Sequence, residues 1–163
     1  MDSLKINFNQ LDSIISNVIR REIDCLTDEL YKASQIYYIA DSQLSSDIAP
    51  LLTSLTSRDV KEMKNPEDIT DASSVLICFS FGEMDEKRIE QIRAFNKKGR
   101  TVLITSDYDK SELLQCRETI GVHIPTGIES ALQKKVLIRQ ALHLILDDIN
   151  LKIQSKEASK PVI

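Results

Sequence analysis

Two continuous apolar runs, Val75-Leu-Ile-Cys-Phe79 and Thr101-Val-Leu-Ile-Thr105, flank a charged, helix-length segment from Asp85 to Lys98 that stops at Gly99. Runs so short and so uniformly apolar read as strands buried on both faces, which happens when helices cover both sides of a parallel sheet. Parallel neighbours need a crossover between them, and the intervening helix supplies it. Gln35-Ile-Tyr-Tyr-Ile39, rich in aromatic and β-branched residues, is a further strand, and Thr119-Ile-Gly-Val-His-Ile124 closes the series. Arg58-Asp-Val-Lys-Glu-Met63 is more polar and fits an edge strand, with the turn-like Asn65-Pro-Glu-Asp68 after it. The pattern predicts an α/β domain.

The helices follow from the period of the apolar residues. Leu11, Ile14, Ile15, Val18, Ile19, Ile23, Leu26 and Leu30 recur at helical spacing, which predicts one long amphipathic helix. A second helix is expected from Ser45 to Leu55, with Pro50 early enough to cost little. A short helix begins near Ser111. Thr126-Gly-Ile-Glu129 has the spacing of a capping box and is expected to launch a final helix from about Ile128 to Leu151. The apolar residues of that helix cover more than one face, which predicts burial against its own sheet and against a partner subunit.

A chain of 163 residues fits one domain, expected over 1–153, with a polar and disordered tail over 154–163. The 21 basic and 25 acidic side chains give a net charge of -4, so no global field draws the chain onto nucleic acid. Cys25, Cys78 and Cys116 are odd in number and lack C-x-x-C spacing, which argues for reduced, packed thiols in the cytoplasm. His123 and His143 lie too far apart in sequence for a metal-ligand motif, and neither a metal nor a cofactor is expected. No signal-like or membrane-length apolar run is present in the sequence.

In an open α/β sheet the ligand crevice lies beyond the carboxyl ends of the strands. Three loops should meet there, Asp41-Ser-Gln-Leu-Ser-Ser46, Ser80-Phe-Gly-Glu-Met-Asp85 and Thr105-Ser-Asp-Tyr-Asp-Lys-Ser111, and hydroxyls recur in all of them. The first loop opens a helix, where backbone N–H groups and the helix dipole suit a phosphate.

Asp41-Ser-Gln-Leu-Ser-Ser-Asp-Ile-Ala49 resembles the loop G-x-G-x-S-S-x-x-A of sugar isomerase (SIS) domains, with Ser45, Ser46 and Ala49 in place and both glycines replaced, by Asp41 and Gln43. The second loop resembles S-x-S-G-E-T-x-E through Gly82, Glu83 and Glu86, while Phe79, Phe81 and Met84 stand at the hydroxyl positions. The third resembles I-T-x-x-x-x-S through Ile104, Thr105 and Ser111. Glu129 and the stretch Leu146-Asp-Asp-Ile149 add to the likeness, which runs from Leu11 to Leu151 and is greatest for the effector domain of RpiR-type transcription regulators.

The resemblance implies a three-layer αβα sandwich whose five-stranded parallel sheet has the flavodoxin-like order 2-1-3-4-5. It implies a sugar-phosphate ligand held by Ser45, Ser46, Gly82, Glu83, Thr105 and Ser111, and a homodimer formed by the first and last helices. The lost hydroxyls imply that the ligand has changed, binds weakly, or is gone. Glu83 and Glu129 are the carboxylates that could move a proton between sugar carbons, with His123 at the pocket rim as a ligand candidate. Each has a plain structural role beside it: Ser45 and Ser46 as helix caps, Thr105 and Ser111 as a strand-end hydroxyl and a cap, Glu129 as half of the capping box, and His143 as a packed or interface residue.

The leading expectation is a noncatalytic carbohydrate-derivative-binding domain without a DNA-reading segment. The alternatives are a phosphosugar aldose-ketose isomerase and a structural dimer with no small ligand.

Overall fold

The computed structural model describes residues 3–41, 44–52, 59–69 and 71–159, and leaves the side chains of 3–7, 45–47 and 68 undescribed. The chain runs α1 (Ser3–Ser16), α2 (Arg20–Lys32), β1 (Ile36–Ala40), α3 (Ser45–Leu52), β2 (Val60–Glu62), a 3-10 turn (Pro66–Asp68), β3 (Val75–Ser80), α4 (Glu86–Asn96), β4 (Arg100–Thr105), α5 (Asp109–Leu114), β5 (Glu118–Gly121) and α6 (Ala131–Ala158).

The sheet has five strands in the order β2-β1-β3-β4-β5, and every pairing is parallel. Alternation along β3 divides the core into two layers. Val75, Ile77 and Phe79 face the layer built with Ile23, Leu26, Leu30, Leu137, Leu142 and Ile149, from α2 and α6. Leu76 and Cys78 face the layer built with Ile92, Phe95 and Leu114, from α4 and α5. This is the three-layer α/β sandwich expected from the apolar runs, and all six residues of β3 are buried. The polar β2 lies at the sheet edge, with Lys61 and Glu62 exposed.

Three expectations are corrected. The predicted first helix is two helices, α1 and α2, because Ile19 takes an extended backbone (φ -78°, ψ 119°) and the Asn17 side chain donates to Ser13 O at 2.8 Å, tying off the end of α1. The break lets both helices pack on α6.

The capping box at Thr126 does not form. Gly127 sits at φ 92°, a left-handed conformation that interrupts a right-handed helix there. Instead Ser130 caps α6, its hydroxyl accepting from Gln133 N at 3.2 Å.

The helix also continues to Ala158, through residues expected to be a disordered tail. Ile153 is buried there. Lys152 and Lys156 pair with Asp24 and Asp28 of α2 at 3.2 and 2.9 Å, so tertiary contacts override a polar composition. Residues 160–163 of that tail lie outside the described residues, as do 53–58, which include the expected end of α3.

Gly99 does follow α4 as expected, but for reasons of space. A Cβ on Gly99 would stand 2.7 Å from the Phe95 ring and 2.8 Å from Ser74 O. Among the described residues, no helix is long and apolar enough to cross a membrane.

Candidate functional site

The strand order reverses between β1 and β3, since β1 leads outward to β2 and β3 to β4. Beyond their carboxyl ends lies the crevice where such sheets bind ligands. Asp41, the first residue after β1, is fully buried there, and its carboxylate reaches across the crevice. Its Oδ2 accepts from Phe81 N at 2.8 Å and from Gly82 N at 3.1 Å, and its Oδ1 accepts from Leu44 N at 3.2 Å. Two loops thus aim backbone donors at one anion, and that anion belongs to the chain. An aspartate just after a strand, able to bond the backbone two or three residues on, is an Asx-type turn signal, and through it the sequence could have exposed this role.

The other polar groups of the crevice are also turned inward. The Thr105 hydroxyl donates to Ser80 O at 2.7 Å and accepts from Asp107 N at 3.1 Å. Thr105 is fully buried, so it ties the β4 loop to the end of β3. The Lys110 ammonium donates to Gly82 O, joining the third loop to the second. Phe81 packs against the α2/α6 core layer and Met84 against the α4 layer. The side chains at two of the lost hydroxyl positions therefore serve packing.

A second cluster spans α2 and the ends of β4 and β5. Tyr108 donates to the Glu22 carboxylate, at 3.0 Å from Oε1 and 2.8 Å from Oε2. Gly121 N donates to Oε1 at 2.9 Å. Burial, and next the bond to Glu22, push the Tyr108 phenol up to about 12. Gly121 makes room for it, since a Cβ there would lie 2.3 Å from the Tyr108 oxygen. A glycine inside a strand marks such close approach, and it was the available signal. The His123 ring lies against Tyr108, 5.7 Å between centroids.

The remaining candidates are dispersed. Ser45 and Ser46 open α3, and their side chains lie outside the described residues. Ser111 is half-buried within α5, which starts at Asp109. Glu83 and Glu129 are both exposed. His143, expected to be a packed or an interface residue, is not packed within this chain; it points outward and pairs with Asp147 at 3.2 Å.

A polar cleft of about 390 Å³ lies beside the crevice, lined by Ala40, Glu62, Lys64, Asp85, Lys87 and Arg88 among others. Asp85 caps α4 by accepting from Arg88 N at 2.8 Å, and that bond holds its carboxyl below the usual range. The other thiol feature of note is a pair: Cys116 is held below the ordinary thiol range chiefly by a hydrogen bond from Cys78 and further by Thr101, while burial pushes the Cys78 thiol well up.

No protein-family profile matches the chain, and no curated protein sequence does. Solved structures that resemble it include a candidate sugar-phosphate isomerase from Listeria monocytogenes, 12% identical over 98% of this chain and 94% of that one, with a TM-score of 0.75. The sugar isomerase domain of an RpiR transcription factor from Sphaerobacter thermophilus is 9% identical over 96% of each chain, with a TM-score of 0.66. The Vibrio vulnificus NanR protein complexed with ManNAc-6P is 12% identical over 96% of this chain and 66% of that one, with a TM-score of 0.68. Isomerases and regulators thus share this architecture, and the similarity does not choose between them. With its parallel sheet, its strand order and these structural neighbours, the chain has the fold of a sugar isomerase (SIS) domain.

Proposed function

We propose that this chain is a noncatalytic SIS module that binds a carbohydrate derivative, as a homodimer formed by its first and last helices. The observation that carries the reading is the closed polar network at the carboxyl end of the sheet, in which the Asp41 carboxylate and the Thr105 hydroxyl bond to the protein itself. Moving a proton between adjacent sugar carbons needs a base held and oriented within hydrogen-bond reach of the substrate. Glu83 and Glu129 are exposed, and no hydrogen bond among the described residues orients either. In this reading Ser45, Ser46, Glu83 and Ser111 contact the ligand, whereas Gly82 and Thr105 shape the rim.

The homodimer is supported by Leu144 and Leu151, which are 46% and 64% exposed on α6. Leu144 also lines a groove with Ile15, Val18 and Ile23, where α6 meets α1 and α2.

The test is thermal unfolding against hexoses, pentoses and amino sugars, each with and without phosphate. A ligand at one hundred times its dissociation constant adds about 2.7 kcal/mol and raises the midpoint by several degrees. The same compounds are expected to show no aldose-ketose turnover. Turnover abolished by Glu129→Ala would overturn the binding-module reading, and a panel without any shift would leave a structural dimer.

A further inference from the structure

We propose that Asp41 is a built-in anion occupying the crevice's own phosphate seat, so that the chain recognises its sugar without a phosphate there. The seat's donors come from both sides of the crevice; the Phe81 and Gly82 amides belong to a separate loop from Asp41, and Leu44 N is shared between the Asp41 carboxylate and the Asp41 carbonyl, 3.1 Å away. Phe81 N and Gly82 N follow the end of β3 in sequence, and Leu44 N precedes the first turn of α3. Convergent backbone N–H groups of this kind, from a loop and a helix start, are what an oxyanion requires.

Two further features mark the place as suited to negative charge. The Lys110 ammonium lies one peptide group away, on Gly82 O. Next in sequence to the Phe81 amide, Ser80 keeps a fully buried hydroxyl without a partner among the described residues. A carboxylate is the side-chain group that most nearly imitates a phosphate's charged oxygens, and Asp41 brings one from β1 at the length of a single methylene. With the carboxylate seated, an incoming phosphate would meet like charge and donors already engaged. The seat would then contribute nothing to binding a phosphorylated sugar, and selection among carbohydrates falls to hydroxyl and amide groups. That last step rests on the proposed carbohydrate-binding function, whereas the occupied seat does not.

The experiment compares the wild-type chain with Asp41→Gly and Asp41→Ala, using inorganic phosphate as the probe and the amide resonances of Leu44, Phe81 and Gly82 as the readout. In the wild type these amides stay unmoved as phosphate is added. In the folded variants they shift saturably, with phosphate bound at least about tenfold more tightly than by the wild type.

Saturable movement in the wild type overturns the proposal whether or not the variants fold, and so do folded variants that gain no phosphate affinity. In a second arm ManNAc-6P and its dephosphorylated sugar are compared. Equal affinity in the wild type and a preference for the phosphorylated form in Asp41→Gly are expected, and a tenfold or greater wild-type preference for phosphate overturns the proposal. If neither sugar binds, the carbohydrate reading fails, while inorganic phosphate still decides the seat.

Discussion

At the scale of single residues the site is dominated by side chains that bond the protein's own backbone. Asp41 is the extreme case, a fully buried carboxylate whose removal takes the acceptor from Phe81 N and Gly82 N, while Leu44 N keeps the Asp41 carbonyl. Asp41→Ala is expected to cost roughly 3 kcal/mol in urea unfolding, since bonds to a charged acceptor are among the stronger ones and water replaces them only in part.

Tyr108 makes a prediction in pH. Its phenol is raised from 10 to about 12, so the native state holds that proton more tightly than the unfolded chain does. The stability it contributes is therefore complete below pH 10 and is lost as pH rises toward 12. The wild type's advantage over Tyr108→Phe should shrink across that window, and the phenolate absorbance that the wild type has over Tyr108→Phe should grow in as pH rises toward 12.

The thiols differ in the same physical sense. Cys116 is partly exposed with its pKa lowered, and Cys78 is buried with its pKa raised. Iodoacetamide should label Cys116 in the native protein and Cys78 only after unfolding.

At the scale of elements, the strands were legible and the helix boundaries less so. Val75 to Phe79 and Thr101 to Thr105 announce themselves because buried parallel strands need no polar alternation. The start of α6 misled because Thr126 and Glu129 have capping-box spacing, while the deciding feature, the left-handed backbone of Gly127, is a conformation that spacing does not reveal. Ser130→Ala should accordingly cost about 1 kcal/mol, and Thr126→Ala should stay within about 0.5 kcal/mol, both measured by chemical denaturation.

The end of α6 was hidden for another reason. Its last turns are polar in sequence and are held by Lys152 and Lys156 against Asp24 and Asp28, partners far away along the chain. The candidate site shows the same limit. The loops that meet could be read from the alternation of elements, but the loss of two glycines could not by itself say that Asp41 would turn inward. Nor did any local pattern join Glu22 to Tyr108, which depends on the packing of α2 over the ends of β4 and β5.

At the scale of the whole molecule, the apolar residues of α6 divide between those that cover the sheet and those that do not. Leu137, Ala141, Leu142, Ile145 and Ile149 are buried, whereas Leu132, Leu144 and Leu151 remain exposed. If two copies associate through this face, Leu144→Glu combined with Leu151→Glu should convert a dimer to a monomer in sedimentation, with the thermal midpoint of the monomeric fold little changed. Wild-type protein that sediments as a monomer would remove the basis for this prediction.

The sheet itself also bears on how copies can meet. One border is the three-residue β2, which presents Lys61 and Glu62 to water. The other is β5, where the Glu22 carboxylate already engages the Gly121 amide. A border that is short and charged, or that has an amide already engaged by a side chain, is a poorer template for another chain's backbone. Self-association by strand addition, the route to fibrous deposits, is therefore blunted at both margins, and concentrated protein has helical surfaces left for contact.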